Sequence, residues 1–212
     1  PKDGTLNPVH GVCVHYREGQ DMAAFGDSTI TAELAAKAGF SSARGEITWN
    51  KYATYDAEGN ATYNIANRQS NIINKIAGLD MDVLEILSYD HSKYPMANAS
   101  GSYNTAMTEP FVNYAESLTE EVLATNPGSE FEIWNEWNNE GSWFNEESLS
   151  PQAYAKLAKA VYEKIGDKTT LWGMSTLDVD TQWIEKVLEE WDDDGYFWQN
   201  KNDDQKLYMD GI

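Results

Sequence analysis

The stretch 130-EFEIWNEWNNEGSWF-144 begins as a short strand-like run and then places Asn135 and Glu136 among three tryptophans. The following segment, 150-SPQAYAKLAKAVYEKIG-166, has apolar residues at helical spacing, with Ser150 as a cap, a proline in its first turn and a glycine at its end. Together they predict one strand followed by one helix. The polar pair is expected at the carboxyl end of that strand.

The same alternation recurs along the chain and predicts parallel βα units. Strands are predicted at 11–16, 41–47, 82–89, 130–135, 169–174 and 207–212, and helices at 29–38, 67–78, 110–126, 151–165 and 180–191. From residue 11 to residue 207 the five units average roughly 39 residues each, so eight would need on the order of 310. No Gly-x-Gly-x-x-Gly turn follows a predicted strand, which argues against a doubly wound sheet, although that fold stays an alternative.

We therefore predict an α/β fold, a (β/α)8 TIM barrel that is incomplete, with about strands 1 to 6 present. Residues 1–212 are predicted to form a single domain, truncated at its C-terminal end. An unclosed barrel exposes strand edges, so the remaining strands are expected from a continuation of the chain or from a second chain.

Composition limits the possible partners. The chain has 35 acidic and 15 basic residues and a net charge of -20, so neither nucleic acid nor an anionic membrane is a predicted partner. No run approaches 18 apolar residues, and a membrane-spanning helix is not predicted. The first ten residues show no leader, so any export signal has been removed or never existed, and a secreted or periplasmic location is compatible with the acidic surface.

Cysteine and histidine usage gives little sign of metal or redox chemistry. Cys13 is the single cysteine and is predicted to be a small buried residue. His10, His15 and His91 do not have the spacing of a metal site. The sequence therefore predicts no metal and no cofactor.

Ligands of parallel α/β folds bind outside the carboxyl ends of the strands. The polar residues predicted at this edge are His15, Tyr16, Arg44, Glu46, Tyr89, Asp90, His91, Asn135, Glu136 and 175–178. Strict alternation would send Asn135 and Glu136 to opposite faces, so both reach one ligand only if the strand bulges or ends between them.

Aromatic residues surround the predicted site. Glu136 lies between Trp134 and Trp137 in the sequence, an apolar setting that disfavours a charged carboxyl group and suits a general acid. The alternative is a solvated loop carboxylate. Flat rings can stack on sugars, and Trp137 and Trp143 are the stronger candidates for such contacts, although core packing is equally compatible with any one aromatic residue.

The segment 133-IWNEW-137 resembles the strand-four signature of the clan A glycoside hydrolases, which are (β/α)8 retaining enzymes. The resemblance implies that Glu136 is the acid/base catalyst and that Asn135 binds the 2-hydroxyl beside the cleaved bond. The spacing of Arg44, Glu46 and Trp49 is similar to the strand-two stretch of these enzymes, with Glu46 where Asp is more frequent. The segment 84-LEILSYDHSKY-94 is similar to strand three of family 39-like members, which include β-xylosidases.

The resemblance implies a glycosidase that cleaves β-linked bonds of an oligo- or polysaccharide by a retaining mechanism. Its nucleophile would be a Glu at the end of strand seven, beyond Ile212, so the isolated chain is predicted to be inactive. The competing prediction is a non-catalytic carbohydrate-binding protein, or a half barrel that a partner chain completes. The predicted substrate-binding residues are Asn135, Arg44, Glu46, Trp49, His15, Tyr89, His91, Trp137 and Trp143.

Overall fold

A computed structural model describes residues 7–13, 28–65, 67–139, 149–191 and 208–210 of the chain. The strands are β1 Asn7–Cys13, β2 Phe40–Glu46, β3 Ala53–Tyr55, β4 Ala61–Tyr63, β5 Asp82–Leu87, β6 Glu130–Ile133 and β7 Leu171–Trp172. The helices are α1 Ser28–Ala38, α2 Trp49–Tyr52, α3 Asn67–Ala77, α4 Thr108–Thr125, α5 Pro151–Ile165 and α6 Thr181–Trp191.

Within these ranges, five strands form one parallel sheet in the order β1-β2-β5-β6-β7, and β3 pairs with β4 in a separate antiparallel hairpin. Apart from the hairpin, neighbours in the sheet are neighbours in the sequence. A doubly wound sheet reverses its strand order at a switch point, and this sheet has no reversal. The topology is that of consecutive strands of a (β/α)8 barrel, as the sequence predicts.

The predicted sixth strand falls mostly outside the described residues. Its residues 208–210 form a bend beside β7. There the Asp210 N–H donates to the carbonyl of Leu171 at 2.7 Å, and the Asp210 carboxylate accepts from the Leu171 N–H, also at 2.7 Å. A side chain thus takes the hydrogen bond that a strand backbone would otherwise make.

The two faces of the sheet differ in chemistry. One face carries fully buried apolar residues that join the helices in a single core, among them Ala43, Val83, Leu87, Phe131, Ile133 and Leu171. Burying each large apolar side chain contributes roughly 1.5 to 3 kcal/mol to stability. The opposite face carries Arg44 and Glu46 from β2 and Glu132 from β6, because alternate residues of a strand point to opposite sides. These three residues of the polar face lie near the carboxyl ends of β2 and β6.

The helix ends follow local chemistry. Ser150 caps α5 as predicted, since its hydroxyl accepts from the Ala153 N–H at 3.2 Å. Helix α4 begins at Thr108 without a side-chain cap of its own. The reason is a 3₁₀ turn, Thr105–Met107, that runs directly into the helix and is itself capped by Asn104. Gly39 closes α1 with a φ of 90°, the left-handed position that its type predicts.

Within the described ranges, no helix has both the length and the apolar content needed to cross a membrane.

Candidate active site

The chain changes direction directly after β6, where Asn135 and Glu136 lie. Trp134 and Glu136 have left-handed φ values of 65° and 51°, which break the strand alternation. The Trp134 N–H still donates to the Leu87 carbonyl at 3.0 Å, and the Glu136 N–H donates to the Ser175 carbonyl at 2.8 Å. The sequence predicts a break between Asn135 and Glu136, and the structure has the break here, beginning one residue earlier, at Trp134.

The left-handed residues cost conformational energy, on the order of 1 to 3 kcal/mol each for side chains other than glycine. Hydrogen bonds to the end of β5 and to the loop after β7 hold the segment in this form. Such strain is found most often at functional sites, where the surrounding structure fixes an uncommon backbone.

A hydrogen-bonded chain fixes the side chain of Asn135. Arg44 donates from Nε to Glu132 Oε2 at 2.7 Å and from Nη2 to Glu132 Oε1 at 2.6 Å. The same Nη2 donates to Asn135 Oδ1 at 2.8 Å. Because arginine offers only donors, the amide oxygen of Asn135 must face Arg44, and its NH₂ group faces the other way. That NH₂ group lies 3.4 Å from the hydroxyl of Tyr89.

Glu132 is the residue of this hydrogen-bonded chain that the sequence analysis did not predict. It is buried, with 3% of its surface exposed, and its hydrogen bonds raise the pKa of Arg44 well above its ordinary value, while partial burial acts in the opposite direction. The signal that could have identified it is a carboxylate at an alternate position of a short strand, on the same face as an arginine of a nearby strand.

Glu136 is half-buried beside this chain. Its Oε2 accepts a hydrogen bond from Asn139 Nδ2 at 3.3 Å, and its carbonyl accepts from the Asn139 N–H at 3.0 Å. The carboxyl group therefore lies at the strand end in a turn that its own backbone helps to form.

The ends of β6 and β7 are braced together. The Tyr154 hydroxyl donates to the Ile133 carbonyl at 3.1 Å and accepts from the Met174 N–H at 2.7 Å. Burial raises the pKa of Tyr154, so this hydroxyl keeps its proton and continues to donate. Further out, Asn138 Oδ1 accepts from the Leu177 N–H at 2.7 Å, and Asn138 Nδ2 donates to Asp180 at 3.1 Å.

Two tryptophans predicted to contact sugar lie in the core. Trp137 is 1% exposed and packs between Trp134 and Tyr154, at ring-centroid distances of 4.7 and 5.4 Å. Trp49 is fully buried and stacks on Tyr94 and Tyr114. Burial of these rings favours core packing over direct sugar contact. Tyr89, which is half-buried and next to Asn135, stays a candidate for such a contact.

His91 is buried and joins its own loop to β3. Its Nδ1 accepts from the Lys93 N–H at 3.0 Å, so the hydrogen of the neutral ring is on Nε2, which donates to the Ala53 carbonyl at 3.2 Å. Burial lowers the pKa of His91, although the Ala53 hydrogen bond opposes the shift. These contacts indicate that His91 holds β3 in place.

The state of His91 predicts a pH dependence of stability. Its folded-state pKa lies below the ordinary 6.5, so its contribution is complete above that pH and is lost as the pH falls through the lowered value. Urea unfolding at about pH 7.5 and about pH 5 should show a smaller acid-induced loss for His91→Gln than for the unaltered protein. Equal losses in both proteins would contradict this assignment.

The remaining predicted site residues are less central. Glu46 is buried at 3% exposure, and Asp90 accepts from the Met96 N–H at 3.0 Å. Cys13 was predicted to be buried but is exposed at the end of the edge strand β1, with its sulfur 3.7 Å from Arg44 Nη1. His15, Tyr16 and Trp143 lie outside the described residues. Within the described ranges, no group of three metal-ligating side chains could hold an ion.

The fold is that of the clan A glycoside hydrolases, the (β/α)8 enzymes that the sequence resembles. The chain matches the profile of the cellulase family, glycosyl hydrolase family 5, over residues 5–204, and it therefore belongs to this family. No curated protein matches the chain.

Solved structures share the fold at low sequence identity. A family 39 enzyme from Xanthomonas axonopodis pv. citri aligns with a TM-score of 0.63 and 15% identity, covering 85% of this chain and 37% of that enzyme. A monomeric β-xylosidase from Caulobacter crescentus CB15 aligns at 0.62 and 15%, covering 84% and 38%. An endoglucanase from Thermotoga maritima aligns at 0.58 and 17%, covering 83% and 55%. The chain thus spans about two-fifths to just over half of the length of these proteins.

Proposed function

We propose that this chain carries the acid/base half of a retaining glycoside hydrolase that cleaves β-linked bonds of an oligo- or polysaccharide. The observation that carries the proposal is the hydrogen-bonded chain from Glu132 through Arg44 to Asn135, which fixes an amide directly beside Glu136 at the carboxyl end of β6. Membership in a cellulase family supports a glycan as the substrate.

In the proposed mechanism, Glu136 protonates the glycosidic oxygen while a second carboxylate attacks the anomeric carbon. Glu136 then removes a proton from the water that hydrolyses the glycosyl-enzyme. Asn135, whose NH₂ group is turned away from Arg44, donates to the sugar 2-hydroxyl, a contact that strengthens in the transition state. Arg44 and Tyr89 hold the amide and complete the polar wall of the site.

The second carboxylate must lie about 5 to 5.5 Å from Glu136. We propose that it is a Glu on a seventh strand outside residues 1–212, contributed by a further segment or by a partner chain, and that residues 1–212 form one domain that is inactive alone. Two carboxylates at the described strand ends are poor alternatives for the nucleophile. Glu46 is buried, and Asp90 already accepts a hydrogen bond from the Met96 backbone.

The net charge of -20 bears on the choice of glycan. A strongly anionic surface repels polyanions, so we expect a neutral β-glycan such as a glucan, mannan or xylan to be preferred over a sulfated or uronate-rich one. Increasing ionic strength should reduce the discrimination, because salt screens the repulsion between exposed charges.

The test begins with the protein from its native source, whose intact mass shows whether it extends beyond these 212 residues. The complete protein is then incubated with neutral β-glycans, and proton NMR follows the anomer that is released first. We expect the β-anomer, because two displacements restore the original configuration. First release of the α-anomer would contradict the retaining mechanism. Calorimetric binding of oligosaccharide with no cleavage would instead favour a carbohydrate-binding protein.

A further inference from the structure

We infer that Glu132 is a positioning residue for the proposed reaction, acting through Arg44 to set the orientation of the Asn135 amide. The inference rests on the proposed function and assigns a role to a residue that touches neither the substrate nor the reacting atoms.

The ion pair spans three strands of the sheet. Glu132 is on β6 and Arg44 is on β2, with β5 between them. The long arginine side chain therefore crosses the polar face of the sheet to reach the carboxylate. Both oxygens of Glu132 are used, one by Nε and one by Nη2. This bidentate arrangement determines the plane and the rotation of the guanidinium group.

The orientation of the guanidinium plane determines how the Asn135 amide is held. Nη2 has two hydrogens, and the pair with Glu132 uses one of them. The guanidinium group is rigid and planar, so the direction of the other hydrogen is also fixed, and it points to Asn135 Oδ1 at 2.8 Å. The Asn135 amide can then present only its NH₂ side to Tyr89 and to a bound sugar.

Without Glu132, the described contacts left to Arg44 are the single hydrogen bond to Asn135 and a 3.7 Å contact with the sulfur of Cys13, a weak acceptor, and neither is bidentate. The arginine side chain is 25% exposed, whereas the Glu132 side chain is 4% exposed, so a released guanidinium group could turn towards water or towards another carboxylate. The amide of Asn135 would then lose its fixed partner and could present its oxygen to the sugar. An oxygen cannot donate to the 2-hydroxyl as the NH₂ group does.

The experiment compares the complete protein with its Glu132→Gln variant on two aryl β-glycosides, one with a 2-hydroxyl and one with the 2-deoxy sugar. We expect kcat/KM on the substrate that has the 2-hydroxyl to fall by roughly 10- to 100-fold, by analogy with the loss of a residue that orients a metal ligand. On the 2-deoxy substrate, which has no hydroxyl for Asn135 to bind, the loss should be at most about threefold.

Three further variants separate positioning from structural support. Asn135→Ala should lower kcat/KM mainly on the substrate that has the 2-hydroxyl, as Glu132→Gln does. Adding Glu132→Gln to it should cause no further loss of kcat/KM, because both changes break the same interaction. Glu130→Gln is the matched control, since Glu130 is on the same strand and face but bonds to Trp172 instead of Arg44. This control should not distinguish the two substrates.

Equal losses of Glu132→Gln on both substrates, or losses that add to those of Asn135→Ala, would overturn the inference. If Glu132→Gln does not fold, Arg44→Lys replaces it, because lysine keeps the charge but cannot form the bidentate pair, and the same dependence on the 2-hydroxyl is expected.

A second readout is independent of hydrolysis. The side-chain NH₂ resonances of Asn135, identified by their absence in Asn135→Ala, should shift and exchange faster with water in Glu132→Gln. Unchanged resonances would reject the positioning role even if the protein cleaved no glycoside. Shifted resonances in a protein without glycosidase activity would instead locate the failure in the proposed function.

Discussion

Glu136→Gln in the complete protein should lower kcat for a glycoside with a poor leaving group by roughly 10²- to 10⁴-fold, the range of general acid–base catalysis. Glutamine keeps the size of the side chain and can still bond to Asn139, so the backbone turn at Glu136 should be preserved. What is lost is the proton that the departing oxygen needs.

The loss should depend on the leaving group. With a dinitrophenyl glycoside, the departing phenolate needs little protonation, so glycosylation should continue. The glycosyl-enzyme should then accumulate, and a burst of released phenolate would report it. Adding azide to Glu136→Ala should restore turnover and yield a β-glycosyl azide, because the anion attacks the intermediate from the face that the carboxylate has left. These measurements identify an acid/base residue and distinguish it from a nucleophile.

The matched control is Glu163→Gln, which changes an exposed carboxylate on α5. It should retain the activity of the unaltered protein on both substrates. Unchanged hydrolysis of the poor-leaving-group glycoside by Glu136→Gln would show that another residue supplies the proton.

The second large effect concerns stability. Trp137→Ala should lower the free energy of unfolding by about 3 to 5 kcal/mol, the usual cost of removing a large aromatic side chain from a core. Trp137 is 1% exposed, and its ring packs against Trp134, Tyr154 and Tyr103, so its removal opens a cavity between β6 and α5. Urea unfolding monitored by circular dichroism would measure the change.

Two comparisons sharpen this experiment. Trp137→Phe retains an aromatic ring and should cost less than the alanine variant, whereas Trp172→Ala removes a half-buried ring on β7 and should also cost less. A sugar platform at Trp137 would behave differently: alanine would raise KM and leave the stability nearly unchanged. That result would contradict the buried position of the ring.

Local patterns in the sequence predict the architecture well. The alternation of strands and helices and the Ser150 cap each depend on a few neighbouring residues, and the structure has them in the predicted order, although β1 is Asn7–Cys13 where 11–16 was predicted. The hairpin of β3 and β4 was not predicted as a pair of strands, because each strand has only three residues and shows little periodicity.

The role of a single aromatic residue is harder to predict. Trp137 follows the polar pair in the sequence and therefore suggests a sugar contact, yet the left-handed turn at Trp134 and Glu136 directs its ring back into the core. The partners of that ring, Tyr103 and Tyr154, are distant in the sequence. Burial of this kind follows from the packing of several elements and has no local signature.

The pairing of Glu132 with Arg44 is likewise a long-range feature, since 88 positions separate the two residues in the chain. Alternation indicates which face each side chain occupies. Only the register of β2, β5 and β6 shows that the two side chains can meet across the sheet. The Asn135–Glu136 motif and Arg44 could be recognised in the sequence, whereas the pairing of Arg44 with Glu132 could not.

The loops after β6 and β7 share hydrogen bonds from Asn138 to Leu177 and Asp180, and the Glu136 backbone bonds to Ser175. Protein engineers who exchange loops between related barrels to alter specificity should therefore treat these two loops as one transferable cassette. A graft of the first loop alone would leave Asn138 without its hydrogen-bond partners Leu177 and Asp180. Chimeras that exchange 134–139 together with 174–180 should retain the geometry of the donor.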